Sequence, residues 1–221
     1  MTASIKPQIG QGIYTAPDAA RILDLPVYKV RRWLKEYWNK RFGSEEHTYS
    51  WGEGGERAFG FLTLMEFYVF YRLKESGVPT RKILAAHERL SKRLGTIFPF
   101  ASVKLLTDGG RILFSPEEGA IVDIEPDFQY NLKEVILPFC EKIEFNHSNL
   151  AQRFYPMGKG KDIVIDPHHQ FGQPTIKGTN ILPQTLWNYY RGGEKPAMIA
   201  ALFDIPLKSV NDAVAFCKKA A

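Results

Sequence analysis

The chain has 221 residues, 44% hydrophobic, 24% charged and 13% aromatic, which excludes a disordered or fibrous protein and leaves an ordinary globular one. Its 29 Lys and Arg against 24 Asp and Glu give a formal charge of +5, an excess that matters only where it is concentrated on one surface. The amino-terminal residues carry no apolar signal core and no stretch approaches the roughly 18 apolar residues of a membrane span, so a cytoplasmic protein with no membrane partner is expected.

Thr15, Pro17 and Asp18 have the spacing of a capping box that opens a short helix through Leu23. Asp24 and Leu25 make a tight turn. Beyond Pro26, residues Val27, Val30, Leu34 and Trp38 recur at helical spacing and leave Tyr28, Lys29, Arg31, Arg32 and Lys35 on the other faces. The pair is a helix-turn-helix candidate. Residues His47 to Gly60, rich in Gly and aromatics, read as a small hairpin. Thr63 with Glu66 is a second capping box for a helix that stops at Gly77, and Thr80 caps another that ends at Gly95.

The character then changes. Ala101 to Leu106 and Arg111 to Ser115 flank the turn signal Asp108-Gly109-Gly110, and Ala120 to Ile124 suggests a third strand. Val135 to Phe145 is compatible with helix or strand because Pro138 interrupts it. Gly158-Lys159-Gly160-Lys161 reads as a flexible basic linker, since it lacks the length and the following Ser or Thr of a phosphate loop. Ile163 to Ile165 and Thr175-Ile176 read as two short strands, followed by helices over Gln184 to Arg191, Pro196 to Phe203 and Pro206 to Lys218.

An internal echo links the two ends. Asp24-Leu25-Pro26-Val27 with Val30 matches Asp204-Ile205-Pro206-Leu207 with Val210 at a constant offset of 180 residues, and Ala20 and Ala200 share the register. One helix, a tight turn and a second helix with Pro at its start are built twice. The first copy displays Lys29, Arg31 and Arg32 where the second displays Ser209, Asn211 and Asp212.

Between Arg21 and Arg41 seven basic residues face two acidic ones. A recognition helix in the major groove needs long hydrogen-bonding or cationic side chains for base edges and further cations for phosphates. Tyr28, Lys29 and Arg32 suit the first task, Arg31 and Lys35 the second; a solvated helix face with no partner is the alternative. The stretch Thr15 to Gly95 resembles the DNA-binding domain of the MerR family. That family has a helix of pattern V-x-x-x-T-[LI]-R-x-W, here Leu25 to Trp33 with Val30, Arg31 and Trp33 matching, and then a wing with R-x-[YF], here Arg57 and Phe59. Two helices joined by G-[FV]-x-[ST] follow, approximated by Gly77-Val78-Pro79-Thr80. The resemblance implies a winged helix-turn-helix in which Arg31 and Arg57 touch the DNA backbone, Trp33 is core, and Tyr49 and Trp51 pack the wing. Pro99 and strand-like sequence stand where MerR activators continue into a dimerisation helix, and no Cys lies nearby, so metal sensing is not implied.

Asp166-Pro167, Phe171-Gly172, Pro174, Ile176, Gly178-Thr179 and Ile181, then Gly193-Glu194 and Ile199-Ala200, look like the family catalogued as domain of unknown function 433, with Asn180 in place of its usual Arg. Members are similar to VapB-type antitoxins, whose partner is a PIN-like ribonuclease toxin. In the residues themselves, Pro167 and Pro174 fix turns while Gly172 and Gly178 allow backbone closed to other residues. The motif either shapes the fold or touches a partner. Trp187, Tyr189 and Tyr190 suit a partner or dimer surface, or core packing. Asp166, His168 and His169 invite a metal or acid–base reading, but adjacent residues on a strand point to opposite faces and no nucleophile–base set can be assembled. The two cysteines, Cys140 and Cys217, lie far from other metal-ligand residues and read as buried thiols.

The expectation is therefore an α+β, mainly α chain: residues 1–95 a winged helix-turn-helix, 96–156 a β-rich segment, and 157–221 an antitoxin-like helix-turn-helix preceded by a short hairpin. It would be a non-enzymatic, cofactor-free homodimer that binds an operator in double-stranded DNA and neutralises a PIN-like toxin. The alternative is a DNA-binding regulator with no toxin, sensing a ligand or protein through the middle segment.

Overall fold

The structure is a computed structural model that describes residues 10–44, 47–102, 138–139 and 141–219. Strand β1 (Tyr14–Thr15) leads directly into α1 (Ala16–Leu23), and the capping box forms as the sequence suggests. The Asp18 N–H donates to Thr15 Oγ1 at 3.4 Å and the Thr15 N–H donates to the Asp18 carboxylate at 3.0 Å, satisfying donors that a helix start leaves without partners. Helix α1 ends where Asp24 turns left-handed (φ 57°). Helix α2 (Val27–Trp33) follows Pro26 and continues as a π-helical stretch over Leu34–Phe42.

The centre of the amino-terminal core is α3 (Phe61–Glu75), in which Leu64, Met65, Phe67, Val69, Phe70 and Leu73 are all fully buried. Its start corrects one expectation. The helix begins two residues before Thr63, after Gly60, and no side chain caps it. Burying Phe61 draws the first turn inward, so Thr63 and Glu66 are enclosed and bond elsewhere: Thr63 Oγ1 donates to the Tyr49 carbonyl at 3.1 Å. Glu66 accepts from the Phe100 and Ala101 N–H groups at 2.7 and 3.1 Å and lies 2.7 Å from Nε2 of His87. Helix α4 (Thr80–Leu94) is likewise preceded by Pro79 with no side-chain cap from Thr80, and it ends at left-handed Gly95 as expected.

The hairpin expected over His47 to Gly60 contracts to one antiparallel bridge, in which Trp51 and Ala58 exchange two 2.9 Å hydrogen bonds. Strand β2 (Ala58–Phe59) pairs instead with β1. The strands expected at Ala101 to Leu106, Arg111 to Ser115 and Ala120 to Ile124 lie outside the described residues apart from 101–102, as does Cys140. Strands β3 (Ile143–Phe145) and β4 (Ala151–Phe154) form an antiparallel hairpin, so the ambiguous run that begins at Val135 ends as strand.

Phe154 and Ile165 exchange two 2.9 Å backbone bonds and carry the chain into β5 (Ile163–Val164), which pairs with β6 (Thr175–Ile176). Helices α5 (Pro183–Arg191), α6 (Pro196–Phe203) and α7 (Leu207–Lys219) complete a second core around Ile163, Ile176, Leu186, Val210 and Ala213, with Cys217 buried at its edge. Gly158 to Lys161 is not a free linker. It makes two successive turns, and Lys161 Nζ is held 2.9 Å from Asp212.

The turn between β5 and β6 is fastened to the amino-terminal unit, and β4 packs within the amino-terminal core. The buried Tyr14 hydroxyl donates to the Gly172 carbonyl at 2.8 Å, Ile13 N–H donates to the Phe171 carbonyl at 2.9 Å, and Tyr68 packs on Phe154 with ring centroids 4.7 Å apart. Gly172 has φ 82°, and a Cβ there would collide with the Tyr14 hydroxyl, so the glycine is required twice over. The architecture is mixed helix and strand with helices dominant, in line with the α+β class expected.

Candidate nucleic-acid and partner surfaces

Helix α2 is set rigidly by its inner face. Val30, Trp33 and Leu34 are buried, and Trp33 meets Phe70 edge-on at 4.9 Å, a geometry aromatic pairs favour. The outer face carries the residues singled out in the sequence: Tyr28 is 66% exposed, Arg31, Arg32 and Lys35 are exposed, and Lys29 is half-buried. Arg32 lies 3.6 Å from Glu36 one turn on, both largely solvated, a pair of small energetic weight. Among the described residues Lys29, Arg31 and Lys35 have no ion-pair partner. Lys40 is likewise exposed without one, whereas Arg21 is engaged with Asp18 at 3.4 Å and Arg41 with Glu88 at 2.7 Å. Arg57 is brought to a different place, a polar hollow of about 160 Å³ beside Asn39, Ser44 and Ser50 at the end of the π-helical stretch. Trp33 and Tyr49 are core, whereas Trp51 is only partly covered.

The second copy repeats the backbone closely. Asp204 is left-handed (φ 50°) like Asp24, and the Leu25 N–H bond to the Ala20 carbonyl (2.8 Å) recurs as Ile205 to Ala200 (3.1 Å). Its displayed face does not follow the sequence expectation. Asn211 is exposed, but Ser209 and Asp212 are only 3% exposed. Ser209 Oγ donates to Asp162 at 2.9 Å, and Asp212 accepts from Lys161 Nζ at 2.9 Å and from Lys208 Nζ and the Asp162 N–H at 3.1 Å. Short polar side chains close against the turn before β5. Burial opposes ionisation of Asp212, but Lys161, the Asp162 N–H and Lys208 outweigh it and hold the carboxyl below the usual range. Two positions of the face that the first copy offers to solvent, those of Lys29 and Arg32, are thus occupied in the second, while Lys208, Asn211 and Ala215 stay exposed.

The opposite face shows the reverse. Ile22 and Val27 of the first copy belong to the core built on α3. Their equivalents, Leu202 and Leu207, are 64% and 46% exposed, and Met198 is exposed beside them. Nothing among the described residues does for this copy what α3 does for the first. The sequence reading missed these residues although a signal was present, because Ala197 to Phe203 are apolar at every position and leave α6 without a polar face. Of the aromatics it selected, Tyr189 is exposed and lies edge-on to Phe203 at 5.3 Å. Trp187 and Tyr190 are half-buried, stacked at 5.7 Å, with Lys218 Nζ 5.3 Å above the Tyr190 ring.

Asp166, His168 and His169 are not brought together as a reactive set. Asp166 accepts from Arg153 Nε at 2.7 Å and from the His168 N–H at 2.9 Å, the His168 ring points largely into solvent, and His169 Nε2 lies 3.1 Å from the Thr179 carbonyl. These bonds shape the turn between β5 and β6. Among the described residues no group of three His, Cys, Asp or Glu is placed to hold a metal, and no helix is long and apolar enough to cross a membrane.

Residues 163–217 match the family described as "Protein of unknown function (DUF433)". The chain is 23% identical over 221 residues to the Mycobacterium tuberculosis protein named "Putative antitoxin VapB45", an alignment that covers 91% of this chain and 92% of that one. It is 25% identical over 232 residues to "Uncharacterized protein Rv2308" of the same organism, covering 98% and 94%. The crystal structure of Rv2018 from Mycobacterium tuberculosis shares the fold, with a TM-score of 0.73, 21% identity, and coverage of 91% of this chain and 96% of that one. The carboxy-terminal part is therefore similar to DUF433 and the chain as a whole to an antitoxin-like protein.

Proposed function

We propose that this protein is a DNA-binding antitoxin and autorepressor of a type II toxin–antitoxin pair. Residues 1–95 act as a MerR-like winged helix-turn-helix on a near-palindromic operator, and residues 157–221 pair two chains and hold a PIN-like ribonuclease toxin. The observation that carries the DNA reading is the outer face of α2, where Arg31 and Lys35 are exposed and unpaired while the helix beneath is locked by Trp33. Rigid presentation of cations is what groove and phosphate contacts require. Arg32 and Tyr28 share that face, Lys29 borders it, and Arg57 supplies a phosphate contact further along. The antitoxin reading draws on the similarity to the relative named VapB45 and on the bare apolar face of α6 and α7, with Tyr189 at its edge and Trp187 and Tyr190 behind it.

The test is a salt titration with duplex DNA from the protein's own promoter. Arg31→Ala and Lys35→Ala should each weaken binding and reduce the slope of log affinity against log salt by about 1. Asn211→Ala, at the position equivalent to Arg31, should change neither. Unaltered slopes in the first two variants would remove α2 from the interface.

A further inference from the structure

A second hollow adjoins the one that holds Arg57, sharing His47 and Thr48 with it. It has a volume of about 400 Å³ and lies where three distant parts of the chain meet: the wing and the start of α3, the segment after α4, and the β3–β4 hairpin with Pro167 and His168. That volume falls within the range of small-molecule sites, whereas packing voids in protein interiors seldom exceed one water molecule.

Its lining defines what it can hold. Tyr49, Trp51, Phe61 and Phe98 supply aromatic walls, and the Tyr49 hydroxyl is already engaged in a 2.7 Å bond to the Ile97 carbonyl. Among the described residues no Lys, Arg, Asp or Glu lines the hollow, and its ionisable side chains are those of His47 and His168, in a chain of which 24% is charged. Burying an ion without a counter-charge is costly, so an ionic ligand is disfavoured here. Hydrogen-bonding capacity is nevertheless present: exposed Thr48 and half-buried Gln152 line the hollow, and neither side chain bonds to any described residue.

We infer that this hollow binds an uncharged small molecule with an aromatic ring system, which stacks among Tyr49, Trp51 and Phe61 and hydrogen-bonds to Thr48 and Gln152. Such a molecule would touch the amino-terminal unit and the β3–β4 hairpin at once. The site stands whether or not the chain binds DNA or a toxin.

The experiment uses the full chain and two fluorescent probes with closely related ring systems, uncharged N-phenyl-1-naphthylamine and the anion 8-anilino-1-naphthalenesulfonate. The uncharged probe should bind saturably, one molecule per chain, and the sulfonate more weakly by about tenfold. Thr48→Trp and Gln152→Trp, which add bulk to the lining of the hollow, should each lower affinity for the uncharged probe by about tenfold with the melting temperature retained. Leu202→Lys should leave it unchanged, which separates the hollow from the apolar face of α6. Four outcomes would overturn the assignment: no saturable binding, equal or tighter binding of the sulfonate, insensitivity to both filling variants, or loss of binding in Leu202→Lys.

Discussion

Asp24 and Asp204, 180 residues apart, hold the same left-handed backbone conformation at the end of a short helix, and each lets the next residue donate back to an alanine carbonyl. The two copies nevertheless differ in which positions the rest of the protein covers. One is covered on the side of Ile22 and Val27 and bare where its cations lie; the other is covered where Ser209 and Asp212 lie and bare at Leu202 and Leu207. Duplication of a scaffold has here separated two surfaces.

Leu202→Lys places a charge in the bare apolar face. Folding stability should change by no more than about 0.5 kcal/mol, since the side chain is already solvated. On the proposed function, retention of a second chain or of a toxin should fall by about tenfold or more, as for a central interface anchor. Size-exclusion chromatography with light scattering and co-purification of the neighbouring reading frame's product measure the two effects; an unchanged assembly removes this face from the interface.

Asp212→Asn tests the ion cluster under the second copy. The folded carboxyl is held below its ordinary value by Lys161, the Asp162 N–H and Lys208. Its contribution is thus complete above the unfolded value of about 3.9 and is lost as pH falls through the folded one. The variant should lose about 1–3 kcal/mol at neutral pH. The gap to the unaltered protein should close as the solution is acidified below about pH 4, which urea denaturation across that window would follow.

Gly172→Ala and Gly178→Ala separate backbone strain from collision. Both glycines have positive φ, but a Cβ at Gly178 meets open space while one at Gly172 overlaps the Tyr14 hydroxyl. Gly178→Ala should cost about 1–2 kcal/mol. Gly172→Ala should cost clearly more, about 3 kcal/mol or above, because the buried Tyr14 bond is lost as well. Equal losses in thermal or urea unfolding would refute the collision.

Glu66→Ala removes the acceptor for two backbone N–H groups and the partner of His87, all buried. Unfolding stability should drop by about 3 kcal/mol or more, since stranded buried donors retain their full desolvation penalty. Thr80→Ala, at a helix start without a side-chain cap, should have little effect on the same urea curve.

Thr15 and Glu66 show what was legible in the sequence and what was not. The Thr15–Asp18 box is complete within four residues, so spacing alone identifies it. Thr63 and Glu66 carry the same local signature, yet partners 14, 21 and 34 residues away recruit both side chains, and no local pattern reports that. The helices of both copies and the β5–β6 pair were readable from caps, Pro and Gly positions, and apolar spacing. The cationic face of α2 was readable too, because helical periodicity separates it from Val30 and Trp33. The occupied positions of the second copy were not, since burial of Asp212 depends on a turn some fifty residues earlier. Nor was the aromatic hollow, which exists only once three separate segments meet.

The bond from Tyr14 to Gly172 joins the first strand of the chain to a turn beyond its midpoint. Dissection of the protein into halves would therefore leave the tyrosine without its acceptor and strip Phe154 from Tyr68, so a truncated fragment measures a damaged molecule rather than an isolated module.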